Sequence, residues 1–212
     1  MELSRNDDAF VARSALLALS ARTSSWEPKN VTGLPAEDRV SAVLALKLAT
    51  APAQQWIEPL LADSSTDVQF ETLRWIADSR LTAFLPSVEA YLGRSDLDYR
   101  RFEAAVADIN TLKGRPEAGI RDTELLLSKV CDDLAAPSLR AHALRLLPAH
   151  DTNWKTVNED EQIHYSFPAG LTPNLLTGLL ALNEELLSLE VVRTLSLNPS
   201  LSQTMLTGIA SG

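Results

Sequence analysis

Residues 66–78 read TDVQFETLRWIAD. Val68, Phe70, Leu73, Ile76 and Ala77 recur at the three- and four-residue spacing that gathers side chains on one side of an α-helix. Asp67 stands where a carboxylate favours a first turn, through capping or the helix dipole. The same register returns in PAEDRVSAVLALKLA at 35–49, DLDYRRFEAAVADI at 96–109, APSLRAHALRLLPA at 136–149 and NEELLSLEVVRTLSL at 183–197. Each stretch opens with an acidic or cap-forming residue or with proline, and each carries an arginine or another polar residue on its outer side. Aligning the stripes puts Val40, Phe70, Phe102, Ala141 and Leu189 in equivalent places, at steps of 30, 32, 39 and 48 residues.

The intervening segments also read as helices: 53–62, 81–92, 119–134 and 173–182. Pro59 and Pro86 fall inside two of them and predict kinks or irregular first turns. The plan is therefore a first helix, a short polar turn and a second helix, repeated. Repeats of this length mark a solenoid. The pattern predicts an all-α protein, a right-handed α–α superhelix of about five helix pairs forming one domain over residues 1–212. Two stretches interrupt it. Residues 23–35 read as a loop with Trp26 as an anchor, and residues 150–171 read as an insert loop, acidic at 159–161 and aromatic at Trp154, Tyr165 and Phe167.

Composition agrees with helices. The chain has 37 Leu and 27 Ala among 212 residues, only 8 Gly, and 17 Val and Ile together. Leu and Ala favour helices and Gly opposes them. That balance argues against a Rossmann fold, a barrel or a sandwich. The net charge of −9 opposes binding to nucleic acid, because phosphate contacts rest on Lys and Arg. The arginines and lysine between Arg94 and Arg121 are interleaved with acids and read as a mixed solvated surface. No apolar run is long enough to insert in a membrane, and the start ELSRNDD carries no export signal.

Motifs for chemistry are scarce. Cys131 is the only cysteine, which excludes an intrachain disulfide, and its apolar helical surroundings predict buried packing. His142, His150 and His164 lack the spacing of a metalloprotease or zinc-finger motif, and a site joining His150 and Asp151 with His164 and Glu161 requires the insert to fold back. Glycine-rich phosphate loops, GxSxG and EF-hand patterns are absent. No cofactor, catalytic or metal-binding residue is therefore assigned. The aromatics from Trp56 to Phe102 read as inter-repeat core, with Trp75 expected to be partly exposed because it lies beside Arg74.

The ends carry one more expectation. Residues 7–20 look like a second-type helix with no first-type partner, and residues 199–210 look like a first-type helix with nothing after it. Leu201, Met205, Leu206 and Ile209 then form an apolar stripe left open. The chain reads as a piece of a longer array, with weak self-association through its C-terminal helix.

Asp67 to Arg74 resembles the HEAT-repeat signature of an Asp, then Val and Arg, then Ala and Leu, with Gln69 where the family prefers Arg. Leu139-Arg140-Ala141-His142-Ala143-Leu144 resembles it more closely, and Arg39 lies near this place in the earlier helix. The resemblance to HEAT or armadillo-like arrays covers about 180 residues and concerns architecture alone. Residues 67–92, 96–114 and 190–200 look like the helical-repeat region of large exported bacterial haem-binding proteins, often described as membrane-bound dehydrogenases. Those proteins add a β-propeller and a cytochrome-c-like domain; this chain lacks the propeller and the CxxCH motif. The resemblance implies the array only and transfers no haem or redox residue.

These readings lead to a non-catalytic scaffold that binds a protein partner or neighbouring domains of its own polypeptide. Gln69, Arg74, Trp75, Arg101 and Arg140 are the candidate contact residues, chosen from periodicity and expected exposure. Such a module is periplasmic or exported if it belongs to the larger haem-binding protein. The alternative is a stand-alone cytosolic adaptor. A third class is an enzyme of DNA glycosylase or lyase type built on HEAT-like repeats, which the acidic charge opposes.

Overall fold

The computed structural model describes residues 1–147, 168–198 and 201–205. These residues are all-α, with no strand among them. They divide into two compact units. Met1–Leu92 and Asp98–Gly119 form one; Gly93–Leu97 and the residues from Ile120 onward form the other.

The first unit contains α1 (Ala9–Ser20), α2 (Pro28–Thr32), α3 (Ala36–Leu48), α4 (Ile57–Leu61), α5 (Thr66–Asp78), α6 (Leu85–Tyr91) and α7 (Tyr99–Leu112). Long and short helices alternate. The long ones pack in chain order, α1 on α3, α3 on α5 and α5 on α7. The short ones, α2, α4 and α6, each pack on the long helix that follows. Proline explains why they are short. Pro59 and Pro86 fall within α4 and α6, and both helices are entered through 3-10 turns, Ala53–Gln55 and Thr82–Phe84.

The buried positions of the long helices repeat. Ala42, Val43, Ala45 and Leu46 in α3 match Thr72, Leu73, Trp75 and Ile76 in α5, and then Ala105, Val106, Asp108 and Ile109 in α7. Because α5 is flanked by both α3 and α7, its buried face is wider than a single stripe. Burying a large apolar side chain stabilises by about 1.5–3 kcal/mol, so these rows supply most of the unit's cohesion.

One stop signal closes three of these helices. Thr50, Arg80 and Gly114 follow α3, α5 and α7 in the left-handed region, at φ 50°, 47° and 74°. The next amides return to the helices: Ala51 donates to Leu46, Leu81 to Ile76 and Arg115 to Asn110. This six-to-one bond is the Schellman closure.

The second unit contains α8 (Thr123–Cys131), α9 (Pro137–Leu146), α10 (Pro173–Ala181) and α11 (Glu185–Ser196). α8 packs on α9, α9 on α11, and α10 on α11. Asp122 and Thr172 cap α8 and α10 by accepting from the Leu125 and Leu175 amides. Gly170 lies against α8: an added Cβ would sit 2.4 Å from Leu127 Cδ2.

Several expectations need correction. Residues 23–35 are not a plain loop; they hold the 3-10 turn Thr23–Ser25 and α2, and Val31 is the buried anchor while Trp26 is half-buried. Cys131, last in α8, is exposed rather than packed. Leu189 is 62% exposed, so it does not share the environment of the buried Phe102 and Ala141. Residues 201–205 are helical, and Leu201 and Met205 are buried rather than open. Leu206, Ile209 and the insert through residue 167, with His150, Asp151, Glu161, His164, Trp154, Tyr165 and Phe167, lie outside the described residues.

Candidate functional site

Most of the residues selected by periodicity lie inside. Gln69, Trp75, Arg101 and Arg140 are all buried, and only Arg74 is exposed. Trp75 fills the slot that Ala45 fills in α3, which corrects its expected partial exposure. At the start of α3 and α5 the inward register lies one residue earlier than periodicity predicts. Arg39 and Gln69 turn inward there, while the neighbouring Val40 and Phe70 stay half-buried.

The inward polar residues of the first unit form one connected network. Arg39, on α3, pairs with Asp63 in the turn before α5, with Nε 2.8 Å from one carboxylate oxygen and an amino nitrogen 2.8 Å from the other. Arg39 also donates to the Ser64 hydroxyl at 3.5 Å. Asp63 Oδ1 further accepts the Ser65 amide at 2.7 Å. Gln69 continues the chain. Its Nε2 donates to the Asp63 carbonyl, and its Oε1 accepts from the Tyr91 hydroxyl and from Arg101, each at 2.6 Å. Arg101 is held in turn by Asp98, which caps α7.

Electrostatics matches this geometry. Burial opposes the charge on Arg101, but its bonds to Tyr91 and Asp98 outweigh burial and hold the guanidinium above its ordinary range. Burial raises Asp98, but the Arg101 amide and guanidinium, with Arg100 nearby, outweigh it and hold the carboxyl below its usual value. A polar group removed from water is stable only when bonded, and the bonds here run from helix to helix. The arrangement fixes the register of α3, α5, α6 and α7.

The second unit repeats the device with other residues. Arg140 donates to the Val130 carbonyl at 2.9 Å and lies 3.3 Å from Asp133, tying α9 to the end of α8. His142 Nε2 lies 3.1 Å from the Leu97 carbonyl. Glu190, buried in α11, sits between Arg193 at 2.6 Å and Arg145 at 3.5 Å. Neither Glu190 nor Asp63 was singled out from sequence. Asp63 lies in a polar turn and Glu190 in the middle of α11 beside Arg193, and in both settings a carboxylate reads from sequence as a solvated residue.

Asp108 is a separate feature. It is 4% exposed, and one carboxylate oxygen has no hydrogen-bond partner. Burial pushes its carboxyl up to about 8, with the negative charge of Asp78 adding to the shift.

The outer surface of α5 and α7 carries a different set. Arg100 stacks over the Phe70 ring at 3.6 Å and reaches Asp67 at 3.0 Å. Arg74 pairs with Glu71 at 3.1 Å on its own helix. Among the described residues no group of three or more His, Cys, Asp and Glu side chains could hold a metal ion. No helix among them is long and apolar enough to cross a membrane. Comparison with protein-family models, with curated proteins and with solved structures finds no match to this chain.

Proposed function

We propose that this chain is a non-catalytic helical-repeat scaffold, a HEAT-like right-handed superhelix of about five helix pairs. Its role is to bind a protein partner or the neighbouring domains of a larger exported, haem-binding or dehydrogenase-like protein. The observation that carries the reading is packing order: in the first unit each long helix packs on the next long helix in the chain. Stacked repeats require such nearest-neighbour contact, and their cooperative product is a long exposed ridge. The buried polar links support the reading, because they join successive repeats rather than building a pocket. Phe70, Arg74 and Arg100 on the outer side of α5 and α7 are the contact surface this account favours.

The exported setting rests on the resemblance of residues 67–92, 96–114 and 190–200 to the array of large haem-binding proteins. An antibody raised to this chain tests it on source cells, with a haem stain on the same gel. The expected result is a haem-positive band far above 23.1 kDa in the exported fraction. A haem-negative band near 23.1 kDa in the cytosol would discard that setting and leave a free-standing adaptor.

A further inference from the structure

The long helices α3 and α5 are each flanked by two other long helices, whereas α1 packs on α3 alone among them. No residue of α1 is buried, although its sequence AFVARSALLALS is mostly apolar. Phe10 is 86% exposed and Leu17 50%. Between α1 and α3 runs an apolar groove of about 500 Å³, lined by Ala12, Leu16 and Leu17 on one side and Leu44 and Leu48 on the other. Arg13 stands on its rim, exposed and without an ion pair among the described residues.

A complementary element exists in the same chain. α11 exposes Leu186, Leu189 and Val192 in a row, preceded by the exposed Glu184 and Glu185. Neither glutamate has an ion pair among the described residues. The row from Leu186 to Val192 is about 9 Å long, and α1 offers about 12 Å from Ala9 to Leu17, at 1.5 Å per residue. An apolar row with acids at its start thus meets an apolar groove with an arginine on its rim.

We propose that the α1–α3 groove receives α11 of a second copy of this chain, in a head-to-tail contact. The leucine and valine row enters the groove, and Arg13 meets Glu184 or Glu185. The two surfaces differ, so the contact is heterologous and a joined pair keeps one free groove and one free α11 face for further copies. One helix in one groove buries less than a standard interface, so association is weak and concentration-dependent. The inference stands apart from the scaffold reading, since it needs only the groove and the α11 face.

Sedimentation velocity on the full chain, from about 10 to about 500 µM, tests it. The parent protein is expected to grow in mass with concentration. Leu17→Glu blocks the groove and Leu189→Glu blocks the helix face; both positions are exposed, and far-UV circular dichroism and melting check that each variant is folded. Each variant alone is expected to stay monomeric. Mixed together, they are expected to form a 1:1 pair that grows no further, since each supplies the surface the other lacks. In the same way Arg13→Glu should weaken association, and mixing it with the Glu184→Arg/Glu185→Arg double variant should restore it. A parent monomer at the highest concentration overturns the proposal. So does association that survives either leucine substitution, a mixture that stays monomeric, or a charge exchange that restores nothing.

Discussion

Asp108 occupies in α7 the core slot that Trp75 fills in α5 and Ala45 in α3. Its folded carboxyl titrates at about 8, well above the roughly 3.9 of an unfolded aspartate. The native state therefore holds a proton that the unfolded chain releases. The contribution of Asp108 to stability is fully present below about pH 4 and is lost as pH rises toward 8. Asp108→Asn removes the charge and nearly keeps the shape. It is expected to match the parent near pH 4 and to exceed it by roughly 2–4 kcal/mol at pH 8, read from urea midpoints at both values. Parallel stability-versus-pH curves for the two proteins would show that Asp108 is not the cause. Charge behaves differently at Asp63, where Arg39 is a full partner. Asp63→Ala leaves a buried guanidinium uncompensated and should cost about 3–5 kcal/mol. The exposed Arg74→Ala should cost no more than about 0.5 kcal/mol. Equal losses at the two sites, measured by thermal melting, would contradict the assignment of one to the interior and the other to the surface.

At the scale of the element, the long helices were legible because their apolar stripes run for three turns or more. The structure places α3, α5, α7, α9 and α11 within a few residues of the stretches read from periodicity. The short helix α2 was not legible. Five residues between Pro28 and Gly33 are too few to show a helical period, and the flanking Ser and Pro read as loop. The inward polar residues escaped for a related reason. Asp63 sits in DSST, which reads as a polar turn, and Asp108 hides in an apolar stretch, AAVADIN. Trp75 is buried where its place beside Arg74 predicts partial exposure, because a helix packed on both sides buries more than one stripe. Helix stops were hidden too, since Thr50 and Arg80 hold the left-handed position that glycine usually takes. Gly114 is the regular case, with φ 74° and nothing within 4 Å of an added Cβ. Gly114→Ala meets strain and no clash, so it should cost about 1 kcal/mol and lower the melting midpoint by a few degrees. An unchanged midpoint would mean that the end of α7 relaxes without cost.

For the whole molecule, the proposed function stands or falls with the proposed stacked array, in which each long helix packs on its neighbour in the chain. Composition and period point to that architecture, and the packing order within each unit agrees with it. The proposed partner is not legible in the sequence, because binding surfaces of helical arrays are made of ordinary solvated residues, which carry no spacing rule. Three of the residues chosen for binding, Gln69, Arg101 and Arg140, instead join helices inside the units. Small-angle X-ray scattering, extrapolated to zero concentration to remove self-association, tests the claim most directly. A compact globule of 212 residues has a radius of gyration of about 17 Å. The stacked array predicts a clearly larger value with an extended tail in the pair-distance distribution. A radius near 17 Å with a symmetric distribution would contradict it.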